Sequence, residues 1–307
     1  MIIFHADDYG LSENVSNEIL SLVNHGMLDG LSVIINMKHS EQALRKLLSA
    51  PAASNANRPL RICLHLNLME GHCCASPQDI PLLVNSDGYF HLSWMKLFAA
   101  SYCPSLYKRY RAQLQTEITT QIRHFLRIMP NNYVLCLDSH QHTHVIPIVW
   151  DALMNALKAE KLSCEFIRIP AEPLLPYLQE PSLYTSYGLA SWIKNIILNI
   201  CSTRAHRQSP AKDNSQFFLW GIMMGCRMDV TRVKTLLPHF QRYGNDSTTL
   251  CILFHPGQIL PSEITEEYSN PAFLEVETAA NRRMEYQTLS LLHDSICSRF
   301  RSTRTAK

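Results

Sequence analysis

Two adjacent carboxylates, Asp7 and Asp8, close the apolar run Met1-Ile2-Ile3-Phe4-His5-Ala6 and give way to Tyr9-Gly10. A hydrophobic strand ending in two acids and a glycine turn sets two anions at the rim of a buried sheet, where a cation or a shared proton must hold them together. One carboxylate can then bind a metal ion while its neighbour moves a proton, which is the division of labour of a metal-dependent hydrolase. Capping the following helix would need only one acid, and Ser12 is placed to do the same.

A second concentration of chemistry is Asp138-Ser139-His140-Gln141-His142-Thr143-His144, with three histidines at alternate positions after an apolar run. In an extended chain these imidazoles share a face, whereas a turn would disperse them. His65, in Ile62-Cys63-Leu64-His65-Leu66-Asn67, would by itself read as a hydrogen-bonded core residue. Its place at a strand end beside the other candidates makes it a ligand instead. Asp8, His65 and one histidine of the cluster form a set suited to Zn²⁺, Co²⁺, Mn²⁺ or Fe²⁺ with open positions. Asp7 is then free as general base toward a water whose pKa the cation lowers. His255, held at a strand end by the turn Pro256-Gly257, suits a general acid. Arg168 either binds an anion or orients Asp7, and His5, two residues before Asp7, shares its strand face.

These residues need elements to position them. Apolar or β-branched runs at 2–6, 31–36, 61–66, 133–138, 165–169, 217–220 and 250–254 predict about seven strands. Helical spacing occupies 13–24, 42–48, 107–129, 147–159 and 281–300. Alternation of strand and helix implies a parallel sheet covered on both faces, either open and doubly wound or closed into a β/α barrel. No glycine-rich turn follows the first strand, which argues against the dinucleotide-binding version of the open sheet. Asp7, Asp8, Asn36, His65, His140, Arg168 and His255 all fall near C-terminal strand ends, and a barrel gathers such positions onto one rim. One catalytic domain over 1–297 is expected, with excursions at 73–98 and 171–216 and a basic, disordered tail at 298–307.

The chain of 307 residues is 46% hydrophobic and 18% charged, with a formal net charge of +2, which favours neither nucleic acid nor a membrane as partner. Its ten cysteines include no C-x-x-C pair, and Cys63, Cys136 and Cys251 sit within apolar runs. Buried thiols in a reducing, cytoplasmic compartment are expected. No basic leader precedes the first apolar run, and 188–201 is too short to span a bilayer.

Read together, the motifs resemble those of the YdjC-like carbohydrate deacetylases. They are Ala6-Asp7-Asp8-Tyr9-Gly10-Leu11-Ser12, His65-Leu66-Asn67-Leu68, Asp87-Gly88-Tyr89-Phe90, Glu117 with Gln121, Asp138-Ser139-His140-Gln141-His142-Thr143-His144 with Pro147, Arg168, His255-Pro256-Gly257, and Arg282 with Glu285. The resemblance implies a distorted, incomplete TIM-like (β/α) barrel that removes the N-acetyl group from an amino sugar such as a chito-oligosaccharide. It also implies Asp7 as proton acceptor, Asp8, His65 and His140 as ligands of one divalent metal, commonly Mg²⁺, and often a homodimer. Two departures stand out: His5-Ala6 replaces the usual Asn-Ala, and Cys251 stands where Glu is frequent. A metal phosphoesterase on a similar barrel, with Arg168 on the phosphate, and a catalytically silent sugar-binding homologue are the competing readings.

Overall fold

The computed structural model describes residues 1–54, 59–212, 216–268 and 270–302. The described residues form seven strands: β1 (Ile2–Tyr9), β2 (Gly30–Val33), β3 (Arg61–Leu66), β4 (Leu135–Ser139), β5 (Cys164–Ile167), β6 (Gln216–Trp220) and β7 (Thr248–Phe254). All pair in parallel, in the order β5-β4-β3-β2-β1-β7-β6, so β5 and β6 are the edges. The connecting helices are α1 (Glu13–Asn24), α2 (Ser40–Leu48), α3 (Trp94–Ala100), α4 (Pro104–Ile128), α5 (Pro147–Ala159), α6 (Leu175–Leu178), α7 (Leu189–Gln208), α8 (Val230–Phe240), α9 (Pro271–Glu277) and α10 (Ala280–Ser302).

The sheet is strongly curled. In a flat sheet β1 and β5, four strands apart, would lie roughly 19 Å from each other. Instead Arg168, just after β5, places its Nη2 2.6 Å from Asp7 Oδ2 on β1. An incomplete barrel therefore brings the strand ends to one rim, as the spread of polar residues required.

Helices form where apolar residues repeat on one face. In α1 the buried Val15, Ile19, Leu22 and Val23 pack inward, and Ser12 caps the helix through Val15 N at 3.3 Å. In α4 Leu114, Ile118, Ile122 and Phe125 do the same. The excursion at 73–98 contains the start of α3, and the one at 171–216 carries α6 and α7. Residues 298–302 continue the α10 backbone, whereas 303–307 lie outside the described residues. No described helix is long and apolar enough to cross a membrane.

Strand periodicity sorts the barrel interior into layers. Cys63, Cys136 and Phe166 precede His65, Asp138 and Arg168 by two positions and form a small apolar cluster with Phe217 packed against it. Arg61 closes this layer, its guanidinium 4.3 Å from the Phe166 ring centroid. The polar residues form the layer above.

Candidate metal centre

Regular alternation along β1 would send Asp7 and Asp8 to opposite faces. The pairing with β2 slips between Ala6 and Tyr9, and Asp8 takes a left-handed φ of 70°. This irregularity re-aims one side chain, and both carboxylates line the same cavity of about 330 Å³. Left-handed backbone at a non-glycine residue costs on the order of 1 kcal/mol, so the surroundings must hold it there. Arg282 from α10 does so, donating from Nη2 to Asp8 Oδ2 at 2.6 Å and from Nε to the Gly257 carbonyl at 2.8 Å.

Asp8, His65 and His140 each offer a ligand atom, and these atoms lie within 4.8 Å of one another. His65 Nδ1 is 2.5 Å from Asp138 Oδ1, which turns Nε2 toward Asp8 Oδ1 at 3.5 Å. A carboxylate behind an imidazole is the usual support of a metal-ligating histidine. His140 places Nδ1 3.0 Å from Asp8 Oδ1, and its buried Nε2 has no hydrogen-bond partner. Burial alone would strip His65 of its proton, but Asp7 and Asp138 outweigh it and lift its pKa to about 10. The pocket thus calls for positive charge at His65, which a divalent cation satisfies as well as a proton does. One carboxylate and two imidazoles suit Zn²⁺, Mn²⁺, Co²⁺ or Fe²⁺ better than Mg²⁺. Two other groupings, His5 with Cys63 and Asp7 with His65, both include Asp138. That carboxylate already faces Arg168 Nη2 at 3.2 Å, which disfavours a cation there.

Asp7 is gripped from the side. Arg168 donates Nη1 to Oδ1 at 2.8 Å and Nη2 to Oδ2 at 2.6 Å, and both residues are buried. Burial pushes the Asp7 pKa up, yet the paired guanidinium together with His65 more than offsets this and holds the carboxyl below its usual range. Of the two tasks expected of Arg168, the geometry places it against Asp7, behind that carboxylate and not itself among the residues that line the cavity. His5 Nε2 lies 2.7 Å from Ser32 Oγ and 3.5 Å from Asp7 Oδ1, and Ser32 Oγ donates to Asp138 Oδ2 at 2.5 Å. Burial, reinforced by Arg168, keeps His5 neutral. Cys251 is buried on β7 opposite Ile3, and burial pushes its thiol up to about 12.

The three alternate histidines do not share one face. Gln141 and His142 take left-handed φ values of 53° and 56°, and the resulting turn disperses them. His140 meets Asp8, and His142 lines the cavity with a buried Nδ1 that has no partner. His144 turns away, with Nδ1 2.6 Å from Ser139 Oγ and Nε2 2.8 Å from the Arg168 carbonyl. His255 also lines the cavity, and Glu285 accepts from its backbone N at 2.6 Å and stands 3.8 Å from its Nδ1. Gly257, at a φ of 91°, has no room for a side chain, since a Cβ would lie 2.9 Å from Val15 Cα. The Pro-Gly turn is thereby pressed onto α1.

Several functional residues had no assigned task at the sequence level. Arg282 and Glu277, 2.6 Å apart, line the cavity beside Asp8. The spacing of Arg282 and Glu285 on one helix was visible, but nothing local connects either to β1. Lys194, Cys226 and Phe273 also line the cavity, and Phe273 presents its ring edgewise to His140 at a centroid distance of 5.7 Å.

A family model described as "YdjC-like protein" matches residues 1–291. Curated relatives named carbohydrate deacetylase include those of Xenopus laevis, 27% identical over 56% of this chain and 51% of that protein, and of Geobacillus stearothermophilus, 26% identical over 57% and 62%. A further one, from Halalkalibacterium halodurans, is 27% identical over 51% of this chain and 58% of that protein. The matches span little more than half the length of these relatives. A solved structure from Enterococcus faecalis V583, described as a candidate cellobiose-phosphate cleavage protein, superimposes with a TM-score of 0.50 over 94% of each chain at 15% identity. It shares the fold.

Proposed function

The chain belongs to the YdjC-like family, and from that membership and the geometry of the rim we propose that it is a metal-dependent hydrolase removing an N-acetyl group from an amino sugar. The observation that carries the reading is the division of the paired acids. Asp8 faces His65 and His140, while Asp7 is held ionised by Arg168 in the same cavity. A divalent cation held by Asp8, His65 and His140 would polarise the acetamide carbonyl and acidify a water.

The residues of the chain then divide the proton transfers. Asp7 accepts a proton from the attacking water as its oxygen bonds to the carbonyl carbon, and Arg168 fixes the direction from which that carboxylate approaches. His255 supplies a proton to the departing nitrogen as the C–N bond breaks, leaving acetate and a free amino sugar. Burial by itself would discharge this imidazole, but the carboxylates of Glu285, Asp8 and Asp7 outweigh it and raise its pKa. His142 faces the same space with an unpaired nitrogen suited to a hydroxyl of the sugar. The phosphoesterase alternative needs Arg168 on substrate, and its guanidinium is spent on Asp7 and Asp138.

The test is acetate release from a panel of N-acetylated mono- and oligosaccharides with Mg²⁺, Mn²⁺, Co²⁺ or Zn²⁺ added. Asp7→Asn is expected to lower kcat by roughly 10²–10⁴-fold with little change in metal affinity. Undiminished turnover in Asp7→Asn would remove Asp7 from the mechanism.

A further inference from the structure

The catalytic cavity continues past its own rim. Gln141 and Lys194 line it and also line a second depression of about 370 Å³, whose other walls are Trp94 and Met95 of α3 and Ala190, Ile193 and Ile197 of α7. The apolar surface extends beyond that groove. Leu189, Ile193, Ile196 and Ile200 are 76%, 50%, 46% and 67% exposed and follow one another at helical spacing, forming a stripe along α7. The opposite side of α7 buries Leu198, Cys201 and Ala205 together with Asn195 and Ser202, so the exposed stripe is the more apolar of its two faces. A continuous exposed apolar surface of this kind marks a place where something binds.

Lys194 stands at the junction. The residue is exposed overall while burial around its ammonium lowers its pKa, and no ion pair joins it to a carboxylate among the described residues. A polar cavity with the amide-cleaving residues, one unpaired cation and an aliphatic groove therefore follow each other along one continuous surface.

Resting on the deacetylase reading, we infer that the acetylated sugar is carried on an anionic, apolar aglycone: a sugar joined through a phosphate to an alkyl or isoprenoid chain. The sugar occupies the cavity, the phosphate meets Lys194, and the chain lies between α3 and α7. Further sugar units fit the groove less well. Beyond Gln141, Lys194 and the single indole N–H of Trp94 its walls are apolar, so most hydroxyls there would lose water without replacement. An apolar chain instead gains by covering those aliphatic walls.

Two measurements test this. The first is binding of dodecyl phosphate, below its micelle-forming concentration, followed by tryptophan fluorescence, because Trp94 lines the groove. Saturable binding is expected, weakened at least tenfold in Lys194→Glu and in Ile193→Glu, with circular dichroism showing that both variants stay folded. Absence of saturation, or equal binding by wild type and variants, overturns the inference. So does sedimentation showing that the stripe is covered by a second copy, with dimerisation lost in Ile193→Glu.

The second compares acetate release from N-acetylglucosamine 1-phosphate and from its phosphododecyl diester. A KM at least tenfold lower for the diester is expected, with that ratio falling toward one in Ile193→Glu. Equal KM values in the wild type overturn the aglycone and leave the deacetylase reading standing. No release from any acetylated sugar, with dodecyl phosphate still bound at the groove, overturns the deacetylase reading and with it the substrate inferred here.

Discussion

The residues of the rim are arranged so that buried charges compensate one another in pairs. Asp7 has Arg168, Asp8 has Arg282, and Asp138 is shared between His65 and Arg168. Removing one member of such a pair leaves an uncompensated buried charge, which costs far more than the pair contributes. His144 shows the reverse solution, a buried imidazole kept neutral. Burial lowers its pKa to about 4 even though Asp138 opposes the change. Its folded-state pKa lies below the unfolded value of about 6.5, so the unfolded chain takes up the proton first as the pH falls. Stability contributed by the neutral form is present above about pH 6.5 and is lost between there and about pH 4, on the order of 3 kcal/mol. Urea titrations at several pH values are expected to show this loss in the wild type and a shallower slope in His144→Gln. An identical slope in the two would show that His144 is not a source of the acid sensitivity.

Single buried side chains also hold whole elements in place. Glu172, in the loop after β5, accepts from the backbone N of Gly221 at 2.6 Å, Ile222 at 3.0 Å and Met223 at 2.8 Å. It accepts as well from Tyr177 Oη at 2.7 Å and Asn195 Nδ2 at 2.5 Å, tying α6 and α7 to the loop after β6. Glu117 of α4 likewise accepts from the backbone N of Cys74 and Ala75, and Gln121 exchanges two hydrogen bonds with the Asn67 backbone, so α4 secures the turn after His65. Glu172→Ala would leave three buried backbone donors unsatisfied. A loss of roughly 3–5 kcal/mol is expected, measured by urea unfolding, together with faster hydrogen exchange at residues 221–223. Unchanged exchange there would mean that the loop is held by its apolar packing alone.

At the scale of the molecule, the site exists only because the sheet curls. Asp8 comes from β1, His65 from β3 and His140 from the turn after β4, so a cation bound among them would tie distant parts of the chain to one point. A ligand that binds the folded state alone stabilises it by about 2.7 kcal/mol at a hundredfold excess over its Kd. Added Zn²⁺ or Mn²⁺ is therefore expected to raise the melting temperature, and chelation to reverse the rise. His65→Gln is expected to abolish the increment, because the amide cannot replace a nitrogen oriented by Asp138. A full metal-induced rise in His65→Gln would place the cation elsewhere.

Much of this was legible in the sequence because its signals are local. Short apolar or β-branched runs marked strands that match β3 and nearly match the others, and apolar periodicity marked α1, α4, α5 and α10 to within a few residues. Residue type and strand-end position were enough to single out Asp7, Asp8, His65, His140 and His255, all of which line one cavity. What the sequence could not reveal depends on neighbours distant along the chain. The slipped pairing that lets Asp7 and Asp8 face the same way needs β2 beside β1 and Arg282 on Asp8, 274 residues further along. The left-handed turn at Gln141 and His142 sent His144 to the Arg168 carbonyl, where alternation alone would have kept it beside His140. Periodicity fixes which residues share a face of their own element, and only the curling of the sheet decides which faces meet.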